Sequence, residues 1–493
     1  MPRNVLFILS DEFRADALCG GQAGVVKTPY LDALAGEGVL FRNALCQAAP
    51  CAPSRMSLHT GRYMCSTGVV DNMTPLAEPE DNLGQWLSRH GVGAGIAGYN
   101  DYAVPPALLP EGHPHRSSLC YDYFLPGYEV VLDHEYDSPE WYAWLVEKGY
   151  PPEWCNRDTM YEPDVPESGP GRHLPCFYPA RYREEHSEAH FLTGKALDYM
   201  TARAGEGWFL NLNYIKPHGP YIAAKEYLDQ YPPEAMPPPV REERELLEQH
   251  PYFSRMENGA AKRHYVEDHE WRDLRRCYCA MATEIDDCVG RLVDYLKSSG
   301  QWENTLVIFG ADHGSCLGDH YLQGKPHFYD SSIRVPFIIH NPGPDADATR
   351  GVTLDYLAEN VDVAPTVCAF LGIPPHPRFQ GRSLMPLLRG EKTDKTAAFF
   401  EYYYHNQLAD PADTLPAACR LWVCRTARWK YVEFGEEEMP PMLFDLENDP
   451  SEFNNLAANP GHAPVMLDLA RELIRWRIRN EDLRMEDWAR PLR

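Results

Sequence analysis

The sequence predicts an α/β fold: a mostly parallel central sheet flanked by helices, followed by a smaller C-terminal part with its own sheet and helix. Three observations predict it. The runs Val5 to Leu9 and Thr305 to Ala311 are unbroken β-branched and aliphatic stretches, the mark of strands buried on both faces. Helix-spaced apolar patterns alternate with these runs and with a third, Trp208 to Tyr214. Beyond residue 380 the texture changes to shorter strands and a closing helix, which divides the chain into a large domain, 1–380, and a subdomain, 381–493. No internal repeat is visible.

At 493 residues, 44% hydrophobic and 12% aromatic, the chain is long enough for a large core and is neither fibrous nor low in complexity. The 72 acidic against 46 basic residues give a net charge of −26, which excludes a general nucleic-acid or anionic-membrane binder. A small anionic substrate must therefore meet positive charge supplied by the site itself. The 14 cysteines follow no metal or disulfide spacing, the N-terminus turns acidic too early for a signal peptide, and no apolar run approaches a membrane span. Reduced cysteines and a cytoplasmic location are expected.

In chain order, Val5–Leu9 delivers Asp11 and Glu12 at a strand's C-terminal end, where open α/β sheets place ligands. A helix N-cap explains one acid; a bound cation explains both. Thr28 to Val39 reads as a helix closed by glycine. It leads to Cys51-Ala52-Pro53-Ser54-Arg55 and Thr60-Gly61-Arg62, in which Pro53 and Ser54 suit a first helical turn. Cys51 then stands at a helix N-terminus with Arg55 one turn on, a place for an anion. A thiolate nucleophile and a plain core cysteine are the alternatives. Asn72 is either an amide donor to an anionic oxygen or the head of an Asx turn. Leu83–His90 reads as a helix and Val92–Ala97 as a strand ending in Gly98-Tyr99-Asn100-Asp101. Residues 102–185 are irregular, as a lid or pocket wall is.

A helix from Phe191 to Ala202 and the strand 208–214 precede Lys216-Pro217-His218-Gly219-Pro220, where a stiffened turn presents a histidine as a general acid or as a core residue. Residues 222–265 read as a solvated excursion, and Leu274 to Leu296 as one face of a long helix with no chemistry assigned. Thr305–Ala311 delivers Asp312-His313-Gly314, with Lys325 twelve residues beyond His313. Three strands thus end in Asp11/Glu12, His218 and Asp312/His313, and a parallel sheet brings such ends together. The tail Ile474-Arg475-Trp476-Arg477-Ile478 reads as an interface or a surface helix.

The Cys51–Arg62 string resembles the signature of the sulfatases, within the alkaline phosphatase superfamily, and the resemblance extends over most of the chain. It implies an alkaline-phosphatase-like sheet and oxidation of Cys51 to formylglycine by a formylglycine-generating enzyme. It also implies one divalent ion, manganese or calcium, held by Asp11, Glu12, Cys51, Asp312 and His313. One hydroxyl of the formylglycine hydrate attacks sulfur or phosphorus and the other expels the ester. By matched position Arg55, His218 and Lys325 are catalytic, while Asn72, Tyr99 and Asn100 bind substrate. Glu12 departs from the usual second Asp.

Most sulfatases carry Gly-Lys-x-His where this chain has Gly98-Tyr99-Asn100-Asp101. Losing two cations disfavours a phosphate monoester dianion against esters of single charge. The phosphonate monoester hydrolases of this superfamily, which also begin this stretch Gly-Tyr, are the most similar branch. An arylsulfatase that also cleaves phosphonate monoesters and phosphodiesters is expected, with a dedicated phosphonate hydrolase/phosphodiesterase and a silent binding protein as alternatives. A homo-oligomer, dimer or tetramer, is also expected.

Overall fold

The computed structural model describes residues 2–18, 24–104, 111, 123–134, 137–165, 175–257, 259, 267–325, 327–410 and 415–481. Residues 105–110, 112–122, 135–136 and 166–174 of the expected pocket wall at 102–185, and the end of the 222–265 excursion, lie outside these. The described strands are β1 (Asn4–Asp11), β2 (Val39–Phe41), β3 (Ala48–Ala49), β4 (Gly93–Gly98), β5 (Glu129–Asp133), β6 (Trp208–Pro217), β7 (Thr305–Ala311), β8 (Phe337–His340), β9 (Val352–Leu354), β10 (Ala398–Tyr403), β11 (Arg420–Arg425), β12 (Trp429–Phe434) and β13 (Met442–Asp445).

They form an eight-stranded sheet, β5-β4-β6-β1-β7-β8-β2-β9, and a five-stranded sheet, β13-β12-β11-β10-β3. In the large sheet β8 runs against both its neighbours and every other pairing is parallel. The fold class expected from the sequence is therefore present. β1 and β7, read from their apolar runs, lie side by side at the centre and are buried along their whole length. Burial on both faces removes the alternation that marks an exposed strand.

The long helix Asp268–Ser298 packs beside β6 and opens with a capping box, in which Glu267 and Glu270 satisfy each other's end of the first turn. From its buried face Glu284 takes the ammonium of Lys216, at the end of β6, at 2.9 Å through both carboxylate oxygens. The Tyr278 hydroxyl donates to Glu12 O at 2.9 Å and accepts from Arg14 N at 2.7 Å. A helix read as packing alone thus fixes the ends of two strands that carry the site. All described cysteines are free.

The small sheet is antiparallel from β10 to β13 and gains β3 as a parallel edge. Residues 48–49 pair with Glu401 and Tyr402 immediately before Cys51. Tyr63, just past the Cys51 helix, meets Trp476 of the last described helix edge-on at 5.0 Å. Ser66 Oγ donates to Asn480 O at 2.7 Å.

Gly98 ends β4 with φ +93°, and an added Cβ would lie 1.9 Å from Asn213 O. A side chain there must push apart β4 and β6. Gly98→Ala is expected to cost at least about 3 kcal/mol, read as a fall of several degrees in the thermal unfolding midpoint.

Candidate active site

Cys51 is the first residue of the helix Cys51–Thr60, all ten residues of which are buried. Its position at the mouth of the sheet is set by the paired strand β3 on one side and by a left-handed Gly61 at the helix end. Ser54 Oγ donates to Asp312 O at 2.5 Å, which ties the first turn to the end of β7. Around the Cys51 Sγ lie Lys325 Nζ at 2.9 Å, His313 Nε2 at 3.4 Å and Asp11 Oδ1 at 3.9 Å. Burial first, and the Asp11 carboxylate second, push the Cys51 thiol well above its usual range despite Lys325. A simple thiolate nucleophile is therefore disfavoured.

Arg55 lies beneath. Its guanidinium binds Asp11 Oδ2 at 3.0 Å and Asp312 Oδ2 at 2.9 Å, and all three groups are fully buried. Its third contact is Tyr99 O at 2.5 Å, and its plane lies 4.7 Å from the Tyr99 ring centroid. Burial would raise the Asp312 carboxyl, but His313, Arg55 and Lys325 outweigh it and hold it well below the usual range. Burial holds His313 down at about 4. With Nδ1–H donating to Gly314 O at 3.0 Å, His313 Nε2 turns a lone pair toward the acids.

Asp11, Cys51, Asp312 and His313 place one donor atom each within 4.8 Å of one another. His313 Nε2 is 3.8 Å from Asp11 Oδ1 and 3.7 Å from Asp312 Oδ2. Such edges suit donors held at about 2.0–2.5 Å around one ion. Two buried carboxylates, an imidazole lone pair and position 51 fit a divalent metal.

Glu12, expected in the same set, groups instead with Asp11 and His218. Its φ is 63°, a left-handed turn at the end of β1. Its carboxylate accepts from Tyr221 OH at 3.1 Å and lies 3.6 Å from His218 Nε2 and 3.8 Å from Lys325 Nζ. Asp11, Glu12 and His218 form a second donor group, but the Lys325 ammonium already faces both acids.

His218 is part-exposed, and its Nδ1 bonds Gly219 O at 2.5 Å, leaving Nε2 facing the site. Asn72 Oδ1 accepts the Ala52 N–H at 3.2 Å, so this residue caps the turn that carries Cys51. The Asx turn belongs to its neighbour Asp71, which accepts from Met73 N. Tyr99 meets Arg55 through its carbonyl and its ring. Asn100 is buried with its amide donated to Tyr123 O at 2.7 Å. Sequence reasoning missed Tyr221, whose only signal is an aromatic directly after the Pro-His-Gly-Pro turn.

The family profile described as Sulfatase matches residues 3–373, and that of the C-terminal part of N-sulphoglucosamine sulphohydrolase matches 318–479. The chain belongs to the sulfatase family and is a hydrolase of the alkaline phosphatase superfamily. It is 34% identical to the multifunctional alkaline phosphatase superfamily protein PehA of Trinickia caryophylli, over 97% of this chain and 96% of that protein. Among solved structures, the phosphonate monoester hydrolase of Silicibacter pomeroyi superposes with a TM-score of 0.88 at 33% identity, covering 98% of this chain and 96% of that one. That of Agrobacterium radiobacter superposes at 0.85 and 30% identity, covering 97% and 96%.

The two donor groups predict different metal behaviour. Asp312→Asn is expected to deplete the purified protein of divalent metal, whereas Glu12→Gln is expected to retain it. Elemental analysis of both variants checks this; equal depletion would return Glu12 to the ligand set.

Proposed function

We propose that the protein is a metal-dependent formylglycine hydrolase of singly charged esters, cleaving aryl sulfates together with phosphonate monoesters and phosphodiesters. The observation that carries this reading is the buried Cys51 at a helix N-terminus, with Lys325 at 2.9 Å and the Asp11–Asp312–His313 donors around it. The similarity to phosphonate monoester hydrolases supports a second reading, a dedicated phosphonate hydrolase or phosphodiesterase, in which sulfate cleavage is the side activity.

Asp11, residue 51, Asp312 and His313 would hold one divalent ion, manganese or calcium, which supplies positive charge to acidify the nucleophile and screen the ester oxygens. Oxidation of Cys51 by a formylglycine-generating enzyme exchanges a thiol of raised pKa for an aldehyde whose hydrate carries the attacking hydroxyl. Arg55 keeps the two carboxylates oriented. Lys325, held as ammonium because Cys51, Asp11, Glu12 and Asp312 outweigh its burial, stabilises negative charge at position 51 and on the departing oxygen. His218 Nε2 delivers a proton to the leaving group, and Tyr221 steadies Glu12 beside it. Asn72 holds the first turn and offers its amide to a non-bridging oxygen. Tyr99 and Asn100 act by fixing Arg55 and the end of β4. The division at 380/381, a cytoplasmic location and a homo-oligomer belong to the same reading.

Cys51→Ala is expected to abolish turnover of every ester while leaving the thermal midpoint unchanged, and peptide mass spectrometry reads formylglycine at residue 51 directly. Retained activity at matched protein would overturn the mechanism. Comparing kcat/KM on nitrophenyl sulfate and nitrophenyl phenylphosphonate decides between the two readings. His218→Ala is expected to slow esters of poor leaving groups at least about tenfold more than nitrophenyl esters; an equal loss on both would remove the acid role.

A further inference from the structure

Lys325 is carried by the loop that follows β7, and several anions compete for its ammonium. It stands 2.9 Å from Cys51 Sγ, 3.8 Å from Glu12 and 3.9 Å from Asp11. A compact charge on a flexible four-carbon stem goes where its main chain lets it. Whatever fixes that main chain decides which anion the ammonium serves.

The loop folds back on itself, with Cys316 N donating to Gly324 O at 2.8 Å immediately before Lys325. Within it Leu317, His320 and Tyr321 have φ of 46°, 53° and 60°, three of the six non-glycine residues at positive φ among the described residues. Leucine and tyrosine are poorly suited to the left-handed region, and such a conformation persists only where surrounding contacts impose it. Those contacts converge on Asp319, which is 2% exposed. Its Oδ2 accepts from Arg14 Nη1 at 2.8 Å, and its Oδ1 from Arg275 Nη2 at 2.5 Å and Val240 N at 2.8 Å. The same two guanidiniums gather the loop's carbonyls. Arg14 donates to Ser315 O at 2.7 Å and Cys316 O at 3.2 Å, and Arg275 to Leu317 O at 3.2 Å. Arg14 follows β1 and Arg275 stands on the long helix Asp268–Ser298, so the loop is clamped to two rigid elements. No step above uses these three residues.

We propose that Asp319 is a positioning residue for the reaction: joined to Arg14 and Arg275, it holds the loop in its left-handed course and so keeps the Lys325 ammonium on residue 51. This rests on the functional reading above, in which Lys325 stabilises negative charge there. Without the carboxylate, two buried guanidiniums lose the anion they share. The left-handed residues are then released toward ordinary conformations, and the Cys316–Gly324 bond moves with them. Ser332 Oγ, which donates to Lys325 O at 2.5 Å, holds the far side of the lysine, so the loop shifts rather than unfolds. A shift of about 1 Å at a catalytic group can cost about a hundredfold in rate.

The test is a double-mutant cycle of Asp319→Asn and Lys325→Met against wild-type holoenzyme. It uses the faster of the two nitrophenyl esters, with rates normalised to formylglycine and metal content. Asp319→Asn is expected to lower kcat at least about tenfold while KM changes less than about threefold. The double variant is expected to be no slower than Lys325→Met alone, because the clamp acts through the lysine. Losses that multiply in the double variant, or a wild-type kcat in Asp319→Asn, would overturn the role of Asp319 and leave the functional reading intact. An undiminished kcat in Lys325→Met would remove the reading of Lys325 and this role with it. If Asp319→Asn does not fold, Arg275→Lys carries the same cycle with the same outcomes, since it keeps the buried charge but cannot span Leu317 O and Asp319 together.

Discussion

The site depends on one buried cation, the Arg55 guanidinium between the carboxylates of Asp11 and Asp312. Those acids stand at the ends of neighbouring central strands with no exposure to water, and two such charges side by side repel. Removing the cation that touches both leaves buried charge uncompensated, an effect of about 3–5 kcal/mol. The planar fork also fixes direction: each Oδ2 is taken by Arg55, which leaves Asp11 Oδ1 facing Cys51 and Lys325, while Asp312 Oδ1 accepts the Glu12 and His313 N–H groups. The same bond geometry draws the first turn of the Cys51 helix against β1 and β7. Charge balance and placement of the nucleophile are therefore one interaction.

Around that centre the supporting contacts come from elements with no chemistry of their own. The Lys216–Glu284 pair holds the end of β6, from which the His218 turn departs, and Tyr278 holds the main chain on both sides of Phe13. Because both come from one long helix, the acid-bearing end of β1 and the histidine-bearing end of β6 are referred to the same rigid body. Their separation is then set by helix packing rather than by the loops between them.

Much of this was legible in the sequence. The central strands announced themselves because burial on both faces demands unbroken apolar runs, and Thr305–Ala311 is bounded in the structure as it is in the sequence. The convergence of Asp11/Glu12, His218 and Asp312/His313 was expected from strand ends meeting at one edge of a parallel sheet, whereas Lys325 and Cys51 were joined to them through the resemblance to the sulfatases. The short outer strands β2, β5, β8 and β9 were not legible, since three to five residues carry too little pattern to separate from loop. Nor was the direction of Glu12, which hangs on a single positive φ that no residue type enforces. Asn72 was legible as a site residue, but its bond to Ala52 N depends on a chain path twenty residues long.

The two-residue strand β3 ties the nucleophile to the far end of the chain. Residues 48–49 find their partner only in residues 401–402, and the turn after the Cys51 helix is fastened by Gln380, Trp476 and Asn480. A ribosome makes these last. While some four hundred residues are still being added, the segment around Cys51 has no finished seat, and once the last helix docks all ten residues of its helix are sealed from solvent. Whatever reagent acts on that thiol has the interval of synthesis in which to do so. In the folded chain Cys51 is 1% exposed, so free access to its thiol belongs to the unfinished chain.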